Sequence, residues 1–152
     1  MIPAIRRFLA EITGAPEPRS FTEDDFRLAA AALLFHVIAI DDEVSDKEKA
    51  KLHALLMARF SLDDRDADAL IDAAVTADNE AVDLYGFTSV LKRHLDDAGR
   101  EHIIEMMWEL VFADGKVHEF EDNLIWRVAE LLGVSSQARI RLKQSVRDAG
   151  GS

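Results

Sequence analysis

The sequence contains no cysteine, which excludes disulfide bonds, thiolate metal sites and a cysteine nucleophile. Basic residues are few: 18 Lys and Arg stand against 29 Asp and Glu in 152 residues, a formal charge of −11. Because nucleic-acid backbones and anionic lipid surfaces bind to basic faces, this balance argues against both as partners. The negative charge is therefore expected to serve other contacts or to remain on a solvated surface.

Long apolar runs are also absent. The longest, residues 28–40, has 13 residues and is broken by His36, whereas a helix that crosses a bilayer needs about 20. Arg6 and Arg7 interrupt the apolar residues near the start, so that stretch does not resemble a signal peptide. We expect a soluble, cytoplasmic protein without a transmembrane segment.

Glycine and proline are scarce, at 7 and 3 residues, and no segment alternates apolar and polar residues as a strand does. Apolar residues recur instead at helical spacing, and two runs, 28–39 and 97–112, are apolar enough to be buried. The pattern predicts an all-α fold with a single domain of about eight helices.

Capping residues mark several predicted helix ends. Thr22 and Ser61 stand before helical patterns as N-caps, and Ser45 with Glu48 forms a capping-box sequence. Gly133 is placed as the glycine that follows a helix, because it adopts the left-handed conformation readily.

An amphipathic N-terminal helix is predicted before a short linker at residues 14–18, which holds two of the three prolines. Its apolar residues share one helical face: Ile2, Ile5, Phe8, Leu9 and Ile12. This face can dock on the domain itself, on another subunit or on a membrane surface. We therefore divide the chain into residues 1–18, the N-terminal helix and linker, and residues 19–152, the helical domain.

An internal repeat emerges when the sequence is shifted by 73 positions. The shift aligns residues 35–48 with residues 108–121, so that Asp41 meets Asp114, Val44 meets Val117 and Glu48 meets Glu121. Each copy then reads as a buried helix, an acidic turn and two further helices. We predict two copies, about residues 22–78 and 95–147, packed around a pseudo-two-fold axis.

Acidic residues recur in register at the turn of each copy. Asp41 and Asp114 end one helix, and Glu48 and Glu121 lie one turn into the next, with Asp42 beside the first turn. Symmetric packing would bring these carboxylates together. Carboxylate oxygens are the ligands that hard cations such as Ca²⁺ and Mg²⁺ prefer, so the five residues are a candidate metal site.

Helix capping explains the same acids, and both interpretations stay open at this point. Glu48 at the third helical position behind Ser45 is a capping-box acid, and acids there favour the helix dipole. His118 takes the place of that serine in the second copy and is a poorer cap, so capping explains Glu121 less well.

Short motifs of the chain resemble the TerB-like family, named for tellurite-resistance protein B. The motif Ala-Asp-Gly-x-Val-x-x-x-Glu at Ala113–Glu121 carries the resemblance, together with its degenerate counterpart at Ile40–Glu48 and the segment Asp83–Thr88. The resemblance covers about residues 21–147, and its one clear departure is Asp42, which stands where the family has Gly. It implies an all-helical fold with internal pseudo-symmetry, an acidic cluster that binds a divalent metal, and a role in bacterial resistance to tellurite and related stress.

Motifs of enzymes are lacking: there is no Gly-x-Ser-x-Gly, no Walker sequence and no His-x-x-x-His. A hydrolase that uses paired carboxylates would need them in a pocket that raises a carboxyl pKa.

We expect a non-enzymatic TerB-like module that binds Ca²⁺ or another divalent cation and a protein partner, such as a membrane-associated stress-resistance protein. The alternative is a protein-interaction domain whose acids only cap helices and keep it soluble.

Three aromatic residues and one histidine are expected in the core. Phe35, Trp108 and Trp126 fall in apolar helical patterns, and His36 lies on the first buried helix as a core residue with a hydrogen-bond partner. The basic residues near the C-terminus are expected to form a solvated face.

Overall fold

A computed structural model describes residues 25–40, 44–114, 117 and 119–151. Within these ranges the chain forms seven α-helices and one 3-10 helix, without a strand. The helices are α1 (Phe26–Ala39), α2 (Asp46–Arg59), α3 (Asp64–Glu80), α4 (Tyr85–His94), α5 (Asp97–Val111), the 3-10 helix (Phe112–Asp114), α6 (Glu119–Leu132) and α7 (Ser136–Gly151). The predicted all-α fold is confirmed. The predicted N-terminal helix and linker, residues 1–18, lie outside the described residues.

Helices α1 and α5 form the centre of the core, as their apolar runs predict. Helix α1 is apolar on nearly every face, and it contacts α2, α3, α4, α5 and α6. Its four consecutive alanines, residues 29–32, are fully or almost fully buried, so neighbouring helices can approach its backbone closely. Ile104, Met107 and Trp108 of α5 are completely buried against this helix layer. None of the described helices is both long and apolar enough to cross a membrane.

Helix contacts follow a similar pattern in the two halves. Helix α1 contacts α2 and α3, while α5 contacts α6 and α7, and α1 and α5 contact each other. The cross-contacts also correspond, because α2 reaches α5 and α6 reaches α1. Similar helix contacts in the two halves do not by themselves show that the halves superimpose. The internal repeat therefore stays a prediction.

Two predicted caps have the expected geometry. The Ser45 hydroxyl accepts a hydrogen bond from the backbone N–H of Glu48 at 3.1 Å, and the Ser45 N–H donates to Glu48 Oε1 at 3.0 Å. This reciprocal pair is the capping box that the sequence predicts. Gly133, directly after α6, has φ +78, the left-handed conformation expected there.

Two helix starts differ from the prediction. Helix α1 begins at Phe26 and is capped by Asp25, which accepts from the Arg27 N–H at 2.9 Å; Thr22 lies outside the described residues. Helix α3 is capped by Asp63. Ser61 instead adopts φ 53 in the connection from α2, so it is not the N-cap. In both cases an aspartate nearer the helix satisfies the first amides.

The prediction for Trp126 was wrong, because 43% of its surface is exposed. The buried stripe of α6 runs through Leu124, Ile125, Val128, Ala129 and Leu132 and leaves Trp126 beside it. The guanidinium of Arg139 lies 5.9 Å from the Trp126 ring centroid and covers part of that ring.

The predictions for Trp108, Phe35 and His36 agree more closely with the structure. Trp108 is completely buried, whereas Phe35 is half-buried at the margin of the same core. His36 has the expected partner, since its Nδ1 lies 2.7 Å from Asp78 Oδ1, but the ring sits at the core's edge and is half-buried. On the C-terminal basic face, Arg141 pairs with Glu101 at 2.6 Å.

Candidate functional site

The five predicted metal ligands belong to two acidic turns, which the structure describes unequally. Asp41 and Asp42 lie outside the described residues. Asp114 is the last residue of the 3-10 helix, and its side chain also lies outside the description. Glu48 and Glu121 are fully described, in the first turns of α2 and α6.

Glu48 and Glu121 are both buried, with 6% and 4% of their surfaces exposed. Among the described residues they are the only charged ones in the buried class. An ionised carboxylate is costly to bury unless hydrogen bonds or a cation compensate for the lost water. The sequence register therefore selects two carboxylates that share an unusual environment.

The capping box accounts for part of the environment of Glu48. Its Oε1 accepts the Ser45 N–H at 3.0 Å, which also fixes the side-chain direction at the start of α2. An ionised carboxylate has about four acceptor positions, so one hydrogen bond leaves capacity for a cation. Capping and metal binding by Glu48 are thus chemically compatible.

The second acidic turn approaches the first half of the fold. The 3-10 helix that ends at Asp114 packs against α2, the helix that carries Glu48 in its first turn. The donors in both turns are carboxylate oxygens, a set that suits a hard divalent cation. Convergence of the ligands stays a prediction, because three of the five side chains lie outside the described residues.

Two further glutamates, on α5, already form ion pairs with an arginine of α2. Arg59 Nη2 lies 2.9 Å from Glu105 Oε1 and 2.6 Å from Glu109 Oε1, which ties α2 to α5. Partial burial, the largest single influence, lowers the pKa of Arg59, but Glu109 and Glu105 together outweigh it and the pKa is raised. Arg59 pairs with both carboxylates and offsets one of their two charges, so neither glutamate is a first choice as a metal ligand.

A second group of donor atoms lies between α2 and α3. His53 Nε2 is 3.1 Å from Asp64 Oδ1 and 3.2 Å from Asp68 Oδ1. Among the described residues this is the one group of at least three His, Cys, Asp or Glu donors close enough for a shared ion. Both aspartates are exposed, and polar contacts between the imidazole and the two carboxylates explain the arrangement without a metal.

Sequence reasoning missed this group because His53 and Asp64 meet only through the packing of α2 against α3. The available signal was the i, i+4 spacing of Asp64 and Asp68, which places both carboxylates on one face of α3. That spacing alone does not identify the histidine opposite.

An exposed aromatic surface lies on α6 and the adjoining start of α4. Tyr85 shares a shallow groove with Arg127 and Leu131, and Trp126 shares a neighbouring groove with the same two residues. We call these four residues the α6 surface. Tyr85 is 66% exposed, and Phe120 one turn and a half before Trp126 is also largely exposed. Aromatic residues and Arg are enriched where proteins bind other proteins.

Comparisons with known proteins match the chain to one family model and to several curated proteins. The family model described as tellurite resistance protein TerB matches residues 27–144. Curated proteins similar to this chain carry the name co-chaperone protein DjlA. That of Vibrio cholerae serotype O1 is 29% identical over 140 residues, covering 87% of this chain and 48% of the relative. That of Vibrio vulnificus strain CMCP6 is 31% identical over 120 residues, covering 76% of this chain and 40% of the relative.

The relative from Vibrio parahaemolyticus serotype O3:K6 is 29% identical over 119 residues, covering 76% of this chain and 41% of its own length. The chain thus spans less than half the length of these curated relatives. No solved structure matches the chain.

Proposed function

This chain belongs to the family of the tellurite resistance protein TerB, and from that membership we propose that it is a non-enzymatic helical module. Its acidic turns bind a divalent cation, Ca²⁺ or another, through Asp41, Asp42, Glu48, Asp114 and Glu121. It acts in the cytoplasm, in bacterial resistance to tellurite or related stress.

One observation supports this function most: the burial of Glu48 and Glu121 at matching positions of the two turns. Surface acids that serve only solubility have no reason to be buried, because burial removes water from the charged form. A divalent cation offsets that cost and the mutual repulsion of nearby carboxylates. The two glutamates would be held by their helices, and the three aspartates would supply further oxygens from the turns.

Calorimetry of the full chain tests the proposal. After removal of metal with a chelator, titration with Ca²⁺ or Mg²⁺ is expected to release or absorb heat with a defined stoichiometry. Asp114→Asn keeps the size of the side chain but removes its charge, and it should weaken binding by about tenfold, or about 1.4 kcal/mol. No heat and no change in Tm at millimolar ion would contradict the proposal.

Two controls separate this site from other acids. Glu130→Gln removes an exposed charge on α6 outside the turns and should leave the affinity unchanged. His53→Ala removes the imidazole between Asp64 and Asp68. If His53→Ala abolished the heat while Asp114→Asn did not, the ion would bind at the histidine group and not at the acidic turns.

A second candidate function is protein binding, favoured by the exposed α6 surface. The curated relatives are named co-chaperone proteins, and a helical module with exposed Tyr85 and Trp126 fits a role in docking another protein. A photo-crosslinking amino acid placed at Trp126 in cells should then yield a defined protein adduct. The same group at Ala58, an exposed position on α2, should not. Equal labelling at both positions would contradict this function.

A further inference from the structure

The described residues of α1, α3 and α4 leave a groove between these three helices on one side of the fold. Its volume is about 840 Å³. The floor is apolar, and each of the three helices contributes: Leu28 and Ala29, then Ala73 and Ala77, then Phe87 and Val90. The alanines of α3 are small and only half-buried, so the groove has room for larger apolar side chains above them.

The rim of this groove is acidic. Asp72, Glu80 and Asp83 line it, and no Lys or Arg is among the described residues that do so. Val82 stands at the same rim with its whole surface exposed. An apolar floor with an acidic rim favours a segment that is apolar on one side and basic beside it.

We propose that residues 1–12 of this chain dock in the groove between α1, α3 and α4. The sequence gives this segment an apolar face of five large side chains, from Ile2 to Ile12, with Arg6 and Arg7 beside it. The apolar face covers the floor, and Arg6, which borders that face on a helical projection, reaches the acidic rim. This inference is independent of any metal site.

The length of the intervening chain allows this docking. Residues 13–24 separate the segment from Asp25, the cap of α1, and twelve residues span up to about 40 Å. Leu28 and Ala29, which line the groove, lie in the first turn of α1, close to where this connection arrives. The groove is therefore within reach along its whole length, since α3 is only about 25 Å long by its 17 residues.

Other occupants are disfavoured by the same observations. An anionic membrane would meet the acidic rim and the net charge of −11, which oppose its approach. A second copy would have to compete with a tethered segment, whose effective concentration reaches millimolar values, of the order of 1 mM. The chain's own segment has both the charge and the proximity.

Engineered disulfides can test the docking cleanly, because the chain has no cysteine of its own. In the full chain, Phe8→Cys is combined with Ala77→Cys on the groove floor. The control combines Phe8→Cys with Ala58→Cys on exposed α2, which does not line the groove. We expect the Phe8–Ala77 pair to form an intramolecular disulfide at least about tenfold faster than the control, because docking raises the local concentration of the two thiols.

A second control tests which face of the segment is bound. Ala10 lies away from the apolar stripe on a helical projection, so Ala10→Cys with Ala77→Cys should react more slowly than the Phe8 pair. Equal rates for all pairs would overturn the proposal. Disulfides formed mainly between two chains would indicate a second copy as the occupant, and loss of the intramolecular disulfide on adding phosphatidylglycerol vesicles that bind the chain would indicate a membrane. Either result would overturn it.

Discussion

Glu48 and Glu121 are each the third residue of their helices, α2 and α6, but the residues three positions before them differ in type. Glu48 exchanges two hydrogen bonds with Ser45 in a capping box. The position that corresponds to Ser45 in the second turn is His118, which has no hydroxyl group. Glu121 is nevertheless as buried as Glu48. A buried carboxylate is common to both turns, whereas the serine of the capping box belongs to the first, so the serine hydroxyl is not what they share.

The aromatic residues that precede the turns differ as well. Trp108 and Phe35 have the same register in the predicted repeat, but Trp108 is completely buried and Phe35 only half-buried. Trp108 also packs near Phe112 and Lys143, with Lys143 Nζ 5.0 Å from its ring centroid. We therefore expect the stability of the second half of the fold to depend more on its aromatic residue than that of the first half does.

The largest expected effect follows from that difference. Trp108→Ala should lower the free energy of unfolding by about 3–5 kcal/mol, because it leaves a large cavity in the core. Phe35→Ala should cost less than half as much, since part of its ring is already in contact with water. Urea denaturation followed by circular dichroism measures both. Equal losses would mean that the two halves rely on their aromatic residues alike.

An intermediate effect is expected at the capping box. Ser45→Ala removes the hydroxyl that accepts the Glu48 N–H and should lower the free energy of unfolding by about 1 kcal/mol. Because the carboxylate of Glu48 remains, the affinity for a divalent cation should change by less than about twofold, or about 0.4 kcal/mol. Thermal denaturation and calorimetry on the same variant check the two expectations. A large loss of affinity would show that capping and binding cannot be separated.

A smaller effect, an increase in the free energy of unfolding, is expected when a serine is introduced at the corresponding position of the second turn. His118→Ser gives that turn the Ser-x-x-Glu sequence of the first and should raise the free energy of unfolding by about 0.5 kcal/mol. Urea denaturation of this variant and of the original chain makes the comparison. If stability does not rise, Glu121 is held in a geometry that a capping box cannot use.

Local features of the fold were predictable from the sequence, whereas features made by packing were not. The Ser45–Glu48 box and the conformation of Gly133 depend on residues a few positions apart, so their chemistry can be read along the chain. The exposure of Trp126 depends on how much of the α6 surface the neighbouring helices cover. The spacing of apolar residues along the sequence does not define the edge of that covered surface.

The candidate site divides in the same way. The register of Glu48 and Glu121 follows from the sequence, but their burial required the packed helices. The group of His53, Asp64 and Asp68 was missed altogether, because its members come together only when α2 packs on α3. Sequence reasoning thus selected residues by spacing, while the three-dimensional arrangement determined their surroundings.

A double-mutant cycle for Ca²⁺ binding tests most directly whether the two turns act together. Calorimetry would compare the unaltered chain, Glu48→Gln, Glu121→Gln and the double variant. Glutamine keeps the size of each side chain, and at position 48 it can still accept the Ser45 N–H. We predict that each single variant weakens binding by about tenfold and that the double variant loses less than the product of both, because the two carboxylates serve one ion. Unchanged affinity in both single variants, or no binding by the unaltered chain, would contradict metal binding at the acidic turns.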